Sequence, residues 1–145
     1  MSLDSAALEL VLRGRVAHLA TADGHGIPHV VPICYAYKSG CFYFVIDRKP
    51  KKKPRDLKRL RNIRDNPHVA LVIDRYEEDW NLLAFVLVHG SAEMVTDLTE
   101  WAAAIDLLRE RYAGYQVMPL TFEENPVVRV RIHRYHFWAA SNQES

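Results

Sequence analysis

The residues best able to do chemistry in this chain sit in one stretch, V-I-D-R-K-P-K-K-K-P-R-D-L-K-R-L-R-N-I-R-D-N-P, residues 45–67. Between Arg48 and Arg64 it holds ten of the nineteen Lys and Arg and one acid, Asp56, so the segment carries +9 in a chain of net charge +1. A block this dense asks for an anion. Four readings of it compete. It could be a solvated helix face, a nucleic-acid footprint, a nuclear-targeting peptide or a discrete phosphate site. The remainder of the chain is net negative and the block has no interleaved aromatics on which bases could stack, which disfavours nucleic acid. The amphipathic stripe that follows disfavours a targeting peptide. For a phosphate site the order of parts is suitable: a strand ends at Asp47, a loop carries Lys49, Lys51, Lys52 and Lys53, and a helix is expected to begin near Pro54. The free N–H groups of such a helix add partial positive charge to the ammonium groups before it. A ring system attached to that anion would lie over apolar surface from Val31, Pro32, Ile33 and Val45.

Other chemistry is weakly represented. His133 and His136, three apart on a strand, point to opposite faces, and His25 and His29 lack a Cys or acid at ligand spacing, so no metal site is expected. His18 lies among apolar strand residues and reads as a core histidine. Ser39 and Ser91 have no nucleophile-elbow context, there is no G-x-G-x-x-G, and the acids Asp74, Glu77, Glu78 and Asp79 read as crowding at a loop. With no catalytic residue in evidence, a bound cofactor would carry the chemistry of any enzyme built on this chain. Trp101 occupies a helical core position. Trp80, in a polar loop, and Trp138, at the end of the last strand, could fill a subunit contact or wall a planar ring.

The elements that must position these residues can be read along the chain. At 145 residues, with half its residues apolar, the chain suits a single domain over 1–145. Residues 5–13 predict a helix with Leu8, Val11 and Leu12 inward, stopped by Gly14. Strands are expected over 15–21, 27–37, 41–47, 68–75, 82–95 and 127–138. Pro28 and Pro32 on one face mark the second as an edge, bulge or coiled strand. The K-S-G turn sets Cys41 opposite Lys38 and away from Cys34, so no disulfide is expected, in keeping with a reducing cytoplasm. Leu57, Leu60 and Ile63 form the stripe of a helix ending at Asn66-Pro67. Asp97 and Glu100 open a longer helix with Leu98, Trp101, Ala102, Ile105, Leu108 and Tyr112 on one face. Residues 113–125 read as a loop. In the last strand the apolar parity moves from Val128, Val130 and Ile132 to Tyr135 and Phe137, which implies a bulge or bend. There is no signal peptide and no run near the ~20 apolar residues of a membrane span. The expected fold is mainly β (α+β), a six-stranded antiparallel barrel, closed or nearly so, with peripheral helices.

In order and spacing, H-L-A-T-A-D-G-H-G-I-P-H-V-V-P-I-C-Y, F-Y-F-V-I-D-R-K-P-K and L-R-N-I-R-D-N-P-H-V-A-L-V-I-D-R-Y-E-E-D-W resemble the pyridoxamine 5′-phosphate oxidase-like split-barrel flavoproteins. The resemblance covers residues 14–138. The segments K-P-K, L-R-N-I-x-x-N-P and D-x-Y-x-E-D-W look like the branch assigned to coenzyme F420-dependent enzymes. It implies a homodimer of six-stranded split barrels with two cofactor sites at the subunit boundary. The strand at 29–34 would lie against a flavin or deazaflavin ring, and residues 46–53 with the next helix start would hold phosphate. The partner would contribute its 80–87 region and C-terminal strand. Residue by residue, Val31, Pro32, Ile33, Val45, Ile46 and Asp47 become ring-side or strand-end cofactor contacts, Lys49, Lys51, Lys52, Lys53 and Arg55 phosphate ligands, and Trp80 and Trp138 ring-side or interface walls. Pyridoxamine phosphate oxidases carry R-Q-V-R-V-E-G where this chain has A-F-V-L-V-H-G, and their C-terminal R-L-H signature is missing here, so the resemblance implies another small-molecule substrate. A block larger than one phosphate needs favours F420, with its phosphodiester and poly-acidic tail, over FMN, the second choice. Haem ranks third, and a non-catalytic binding module is the rival from another class.

Overall fold

The computed structural model describes residues 1–47 and 57–141. In chain order the elements are α1 (Ser5–Arg13), β1 (Ala17–Ala22), β2 (Pro28–Ile33), β3 (Ala36–Lys38), β4 (Cys41–Val45), α2 (Lys58–Asp65), β5 (His68–Arg75), β6 (Ala84–Met94), α3 (Leu98–Arg111), α4 (Ala113–Val117) and β7 (Val127–Ala139), with a 3-10 turn at Trp80–Leu82. The strands form one antiparallel sheet in the order β2-β1-β5-β6-β7-β4-β3. Its two edges, β2 and β3, are joined by only Cys34 and Tyr35. So short a link spans roughly 10 Å at most, which forces the sheet to curl until its edges nearly meet. The fold is mainly β, a split barrel. Seven strands replace the expected six because the segment 27–37 breaks at Cys34–Tyr35. The paired prolines do mark an edge strand, with Pro28 and Pro32 both exposed on the outer face.

Two apolar clusters follow from this curl. One fills the barrel with Leu19, Phe42, Phe44, Leu71, Val86, Val130 and their neighbours, closed by α1 and α2. The other lies outside the β3-β4 edge, where Trp101, Ala104, Ile105 and Leu108 of α3 cover Ala36, Val45 and Val127. Being covered on both sides explains why β4 is apolar on both faces. Helix α1 buries Ala7, Leu10 and Val11, whereas Leu12, expected inward, is exposed. Helix α3 buries Ala104 in place of Ala102 and leaves Leu98 exposed. Asp97 caps α3 by accepting from the Glu100 N–H at 2.9 Å, but the Glu100 carboxylate does not complete a capping box. It binds the Arg129 guanidinium at 2.6 Å and accepts from Tyr43 Oη at 2.8 Å, tying the helix start to β4 and β7.

The turn after β3 has Ser39 at φ 53° and Gly40 at φ 80°, the pair of positive values that a two-residue type I′ hairpin requires. It pairs Lys38 with Cys41, and both cysteines are free. The parity shift in the last strand is a bulge: His89 pairs Arg134 and Gly90 pairs Ile132, leaving His133 as the extra residue. The stretch 113–125 contains the short helix α4, whose Tyr115 is buried. His18 is exposed on the outer face of β1 and is no core histidine. Helix α2 begins at Lys58 with Leu57 as its N-cap, and the expected start at Pro54 falls outside the described residues. Among the described residues no helix is long and apolar enough to cross a membrane.

Candidate cofactor-binding site

Four elements converge where Asp47 and α2, the described parts on either side of residues 48–56 in the sequence, come together. Cys34 follows the end of β2, Asp47 the end of β4, Arg59 lies in the first turn of α2, and Tyr115 comes from α4. Tyr115 Oη donates to Asp47 Oδ2 at 2.9 Å. Burial, and then the Asp47 charge, raise the Tyr115 hydroxyl well above the tyrosine range, so it stays a donor. Arg59 lies close enough to feel both the Asp47 carboxylate and the Tyr115 hydroxyl. Its half-buried guanidinium is pulled below the usual arginine range by desolvation, an effect that Asp47 opposes. Its Nε is buried and has no hydrogen-bond partner among the described residues. A partly desolvated guanidinium with a free donor is a group that an anion would satisfy.

Helix α2 explains why Arg59 is held there. Leu60 and Ile63 enter the barrel cluster, and Asn62, 1% exposed, donates from Nδ2 to Thr21 Oγ1 of β1 at 3.0 Å. This fixes the rotation of α2 and with it the direction of Arg59. The Cys34 thiol is pushed up by burial and by Asp47, so it is held protonated and is a poor nucleophile. The described residues hold no group of three or more His, Cys, Asp or Glu placed for a metal. The corner can bind and orient an anion, and the chemistry would have to come from what it binds.

The expected site residues divide sharply. Lys49, Lys51, Lys52, Lys53 and Arg55 lie outside the described residues. Ile33, Val45 and Ile46 do not offer their side chains as a ring surface, because they pack in the two clusters. On β2, Val30 and Pro32 are exposed on the outer face, while half-buried Val31 packs against the barrel cluster. Asp47 is exposed at the corner. Trp80 is 67% exposed, with its Nε1 3.4 Å from Tyr76 Oη. Trp138 stacks on Phe85, ring centroids 5.8 Å apart, and lies near the 3-10 turn through the Ala140 N–H bond to Leu83 O. The two tryptophans thus share one end of the sheet, but not the end that holds the corner. Ile46 binds Pro126 just before β7 begins, and Trp138 lies eleven residues beyond Val127, roughly 35 Å of extended strand. Arg59 is the residue that reading the sequence missed. The i, i+3, i+4 spacing of Arg59, Asn62 and Ile63, beside Leu60, was the available signal that this one base faces inward.

A model of the pyridoxamine 5′-phosphate oxidase family matches residues 3–139 of the chain. The chain belongs to that family. Solved structures share its fold. A conserved hypothetical protein from Mycobacterium tuberculosis is 21% identical with a TM-score of 0.76, covering 100% of this chain and 90% of that one. An F420 reductase is 23% identical with a TM-score of 0.66, covering 92% of this chain and 98% of its own. HutZ, the haem storage protein from Vibrio cholerae, is 18% identical with a TM-score of 0.70, covering 96% of this chain and 95% of that one. A comparison with curated proteins finds no match. At these identities the family's split barrel is common ground, while its members' cofactors differ.

Proposed function

We propose that this member of the family is a homodimeric oxidoreductase that holds coenzyme F420 and acts on an unsaturated small molecule. The observation that carries the reading is the Arg59–Asp47–Tyr115 corner, where a half-buried guanidinium with an unpaired Nε suits an anion. Arg59 would take a phosphate oxygen with its unpaired Nε, while the lysines after Asp47 would neutralise the rest of an acidic tail. Val30 and Pro32, exposed on one face of β2, would supply an apolar floor for the ring. The deazaflavin supplies hydride transfer when bound; this chain's residues orient it and exclude water. One chain keeps Trp80 and Trp138 far from its own corner, so a site that uses both requires a second copy. The single guanidinium fixed in the corner suits a lone phosphate monoester as well, which is the FMN reading.

Purified protein titrated with F420, FMN and haem, followed by fluorescence or absorbance and by thermal shift, tests this. A ligand at 100 times its Kd should add about 2.7 kcal/mol of stability. Tighter binding of FMN would reverse the cofactor order, and no response to any of the three would remove the oxidoreductase reading. Changing Lys51 and Lys53 together to Ala should weaken F420 binding by roughly tenfold, since exposed charge pairs contribute about 0.2–1 kcal/mol each. Unchanged affinity in that double variant would detach the lysines from the site.

A further inference from the structure

The corner that suits an anion also holds a negative charge, and the fold fixes where that charge points. Asp47 is anchored from both sides. Its neighbour Ile46 is buried, donates to Pro126 O at 2.9 Å and accepts from Asn125 Nδ2 at 3.0 Å. Asn125 is fixed in turn, because its carbonyl takes the Trp101 indole N–H at 2.8 Å. On the other side stands Tyr115, whose carbonyl accepts from Arg109 Nε at 2.9 Å and whose ring meets Tyr112 edge-on. The Asp47 carboxylate is exposed, and its Oδ1 accepts no hydrogen bond among the described residues. What the corner presents to a ligand therefore sums to no net charge. Arg59 brings one cation with an unpaired Nε, and Asp47 one anion. Tyr115 has given its proton to the bond with Asp47 Oδ2 at 2.9 Å, so towards a ligand it offers only lone pairs. The Cys34 thiol is protonated and neutral.

We infer that Asp47 is a specificity-determining residue, shifting the corner's preference away from a doubly charged phosphate monoester and towards a singly charged phosphodiester. This deepens the cofactor reading above and rests on it, because F420 carries a diester where FMN carries a monoester. A phosphate monoester bears about −1.5 to −2 at pH 7, since its second ionisation falls near pH 6. A diester has no second ionisable hydroxyl and keeps a single negative charge. Either can set one oxygen on Arg59. The extra charge of the monoester then finds no second cation among the described residues of the corner and meets Asp47 instead. Like charges in contact repel, and because Asp47 is exposed the repulsion is screened to a moderate size. The lysines after Asp47 favour whichever ligand carries more charge; Asp47 works in the opposite direction.

Binding of FMN and of its monomethyl phosphate ester to the parent and to Asp47→Asn, followed by flavin fluorescence at about pH 7.5 and constant ionic strength, tests this. The two ligands share ring and ribityl chain and differ by one charge. The lysines are the same in both proteins, so their part cancels when the two Kd ratios are compared. The ratio of the FMN Kd to the ester Kd should fall at least about fivefold in Asp47→Asn, which is about 1 kcal/mol. Asparagine keeps an oxygen for Tyr115, and near-UV circular dichroism on the same samples follows folding. Tyr115→Phe removes the hydroxyl that partly offsets the carboxylate but leaves its charge, so it should keep the parent's ratio or raise it. A ratio equal in parent and Asp47→Asn overturns this inference alone, as does a Tyr115→Phe variant whose ratio falls as far as that of Asp47→Asn. A parent that binds F420 but neither flavin also overturns it alone, since the ring and not the charge would then decide. A parent that binds none of the three overturns it together with the cofactor reading.

Discussion

Arg59→Ala should lower the affinity for the anionic cofactor by between tenfold and about a hundredfold while leaving the melting temperature of the unliganded protein nearly unchanged. A hydrogen bond to a charged group is worth about 1.5–3 kcal/mol, and each 1.4 kcal/mol is tenfold in Kd. The two halves of this expectation have separate causes. Affinity falls because the half-buried guanidinium is the cation whose direction the fold fixes, through Leu60, Asn62 and Ile63. Its loss also leaves the Asp47 carboxylate facing the anion without a counter-charge. Stability changes little because the guanidinium is desolvated with its Nε unpaired among the described residues, so removing it relieves about as much as it forfeits. Arg59→Lys keeps the charge but not the planar fork and should fall between parent and alanine. Calorimetric titration of parent and variants with F420 and FMN is the measurement, and equal affinities would place the anion elsewhere on the chain.

What the sequence disclosed and what it withheld divide along a physical line. Features written in neighbouring residues were legible: the K-S-G hairpin and its Lys38–Cys41 pairing, the Asp97 cap, the edge character of a strand with Pro28 and Pro32 on one face, and the bulge implied by the parity change after Ile132. Features that depend on distant partners were not. Leu12 and Ala102 have the spacing of core residues, yet the surface each helix meets selects Leu10 and Ala104 instead. His18 looks buried beside Ala17 and Leu19 because alternation alone does not say which parity faces the barrel; the cross-strand partners of β1 decide that. The corner is the extreme case. Its four residues come from positions 34, 47, 59 and 115, and one charge in a run of ten bases is singled out only when Asn62 reaches Thr21. The side chains expected to form a ring floor, Ile33, Val45 and Ile46, pack instead in the two clusters. Val45, at the end of β4, is covered by α3, and Ile46, just after it, enters the barrel, so neither side chain is left free.

The bulge on β7 carries the other large expected effect. An extra residue at His133 bends the strand, and the strand opposite must come close enough for the ladder to resume on both sides. It does so at Gly90, where an added Cβ would stand 2.2 Å from the Arg131 carbonyl oxygen and 3.1 Å from its carbon. Both are backbone atoms, and no rotamer change moves them aside. Gly90→Ala should therefore force β6 and β7 apart at the bulge, where Ser91 and Ala92 pair with Arg131 and Val130. Val130 and Ile132 are core residues of the barrel, so the displacement reaches its interior. The expected loss is about 3 kcal/mol or more, a fall in melting temperature on the order of 10 °C. Gly114, with nothing within 4 Å of an added Cβ, is the control, and Gly114→Ala should melt within about 2 °C of the parent. If Gly90→Ala melts with that control, the strands do not approach each other as closely at the bulge as the register requires. The same bulge turns His133 onto Ser91 and sets Arg134, His136 and Trp138 on the outer face.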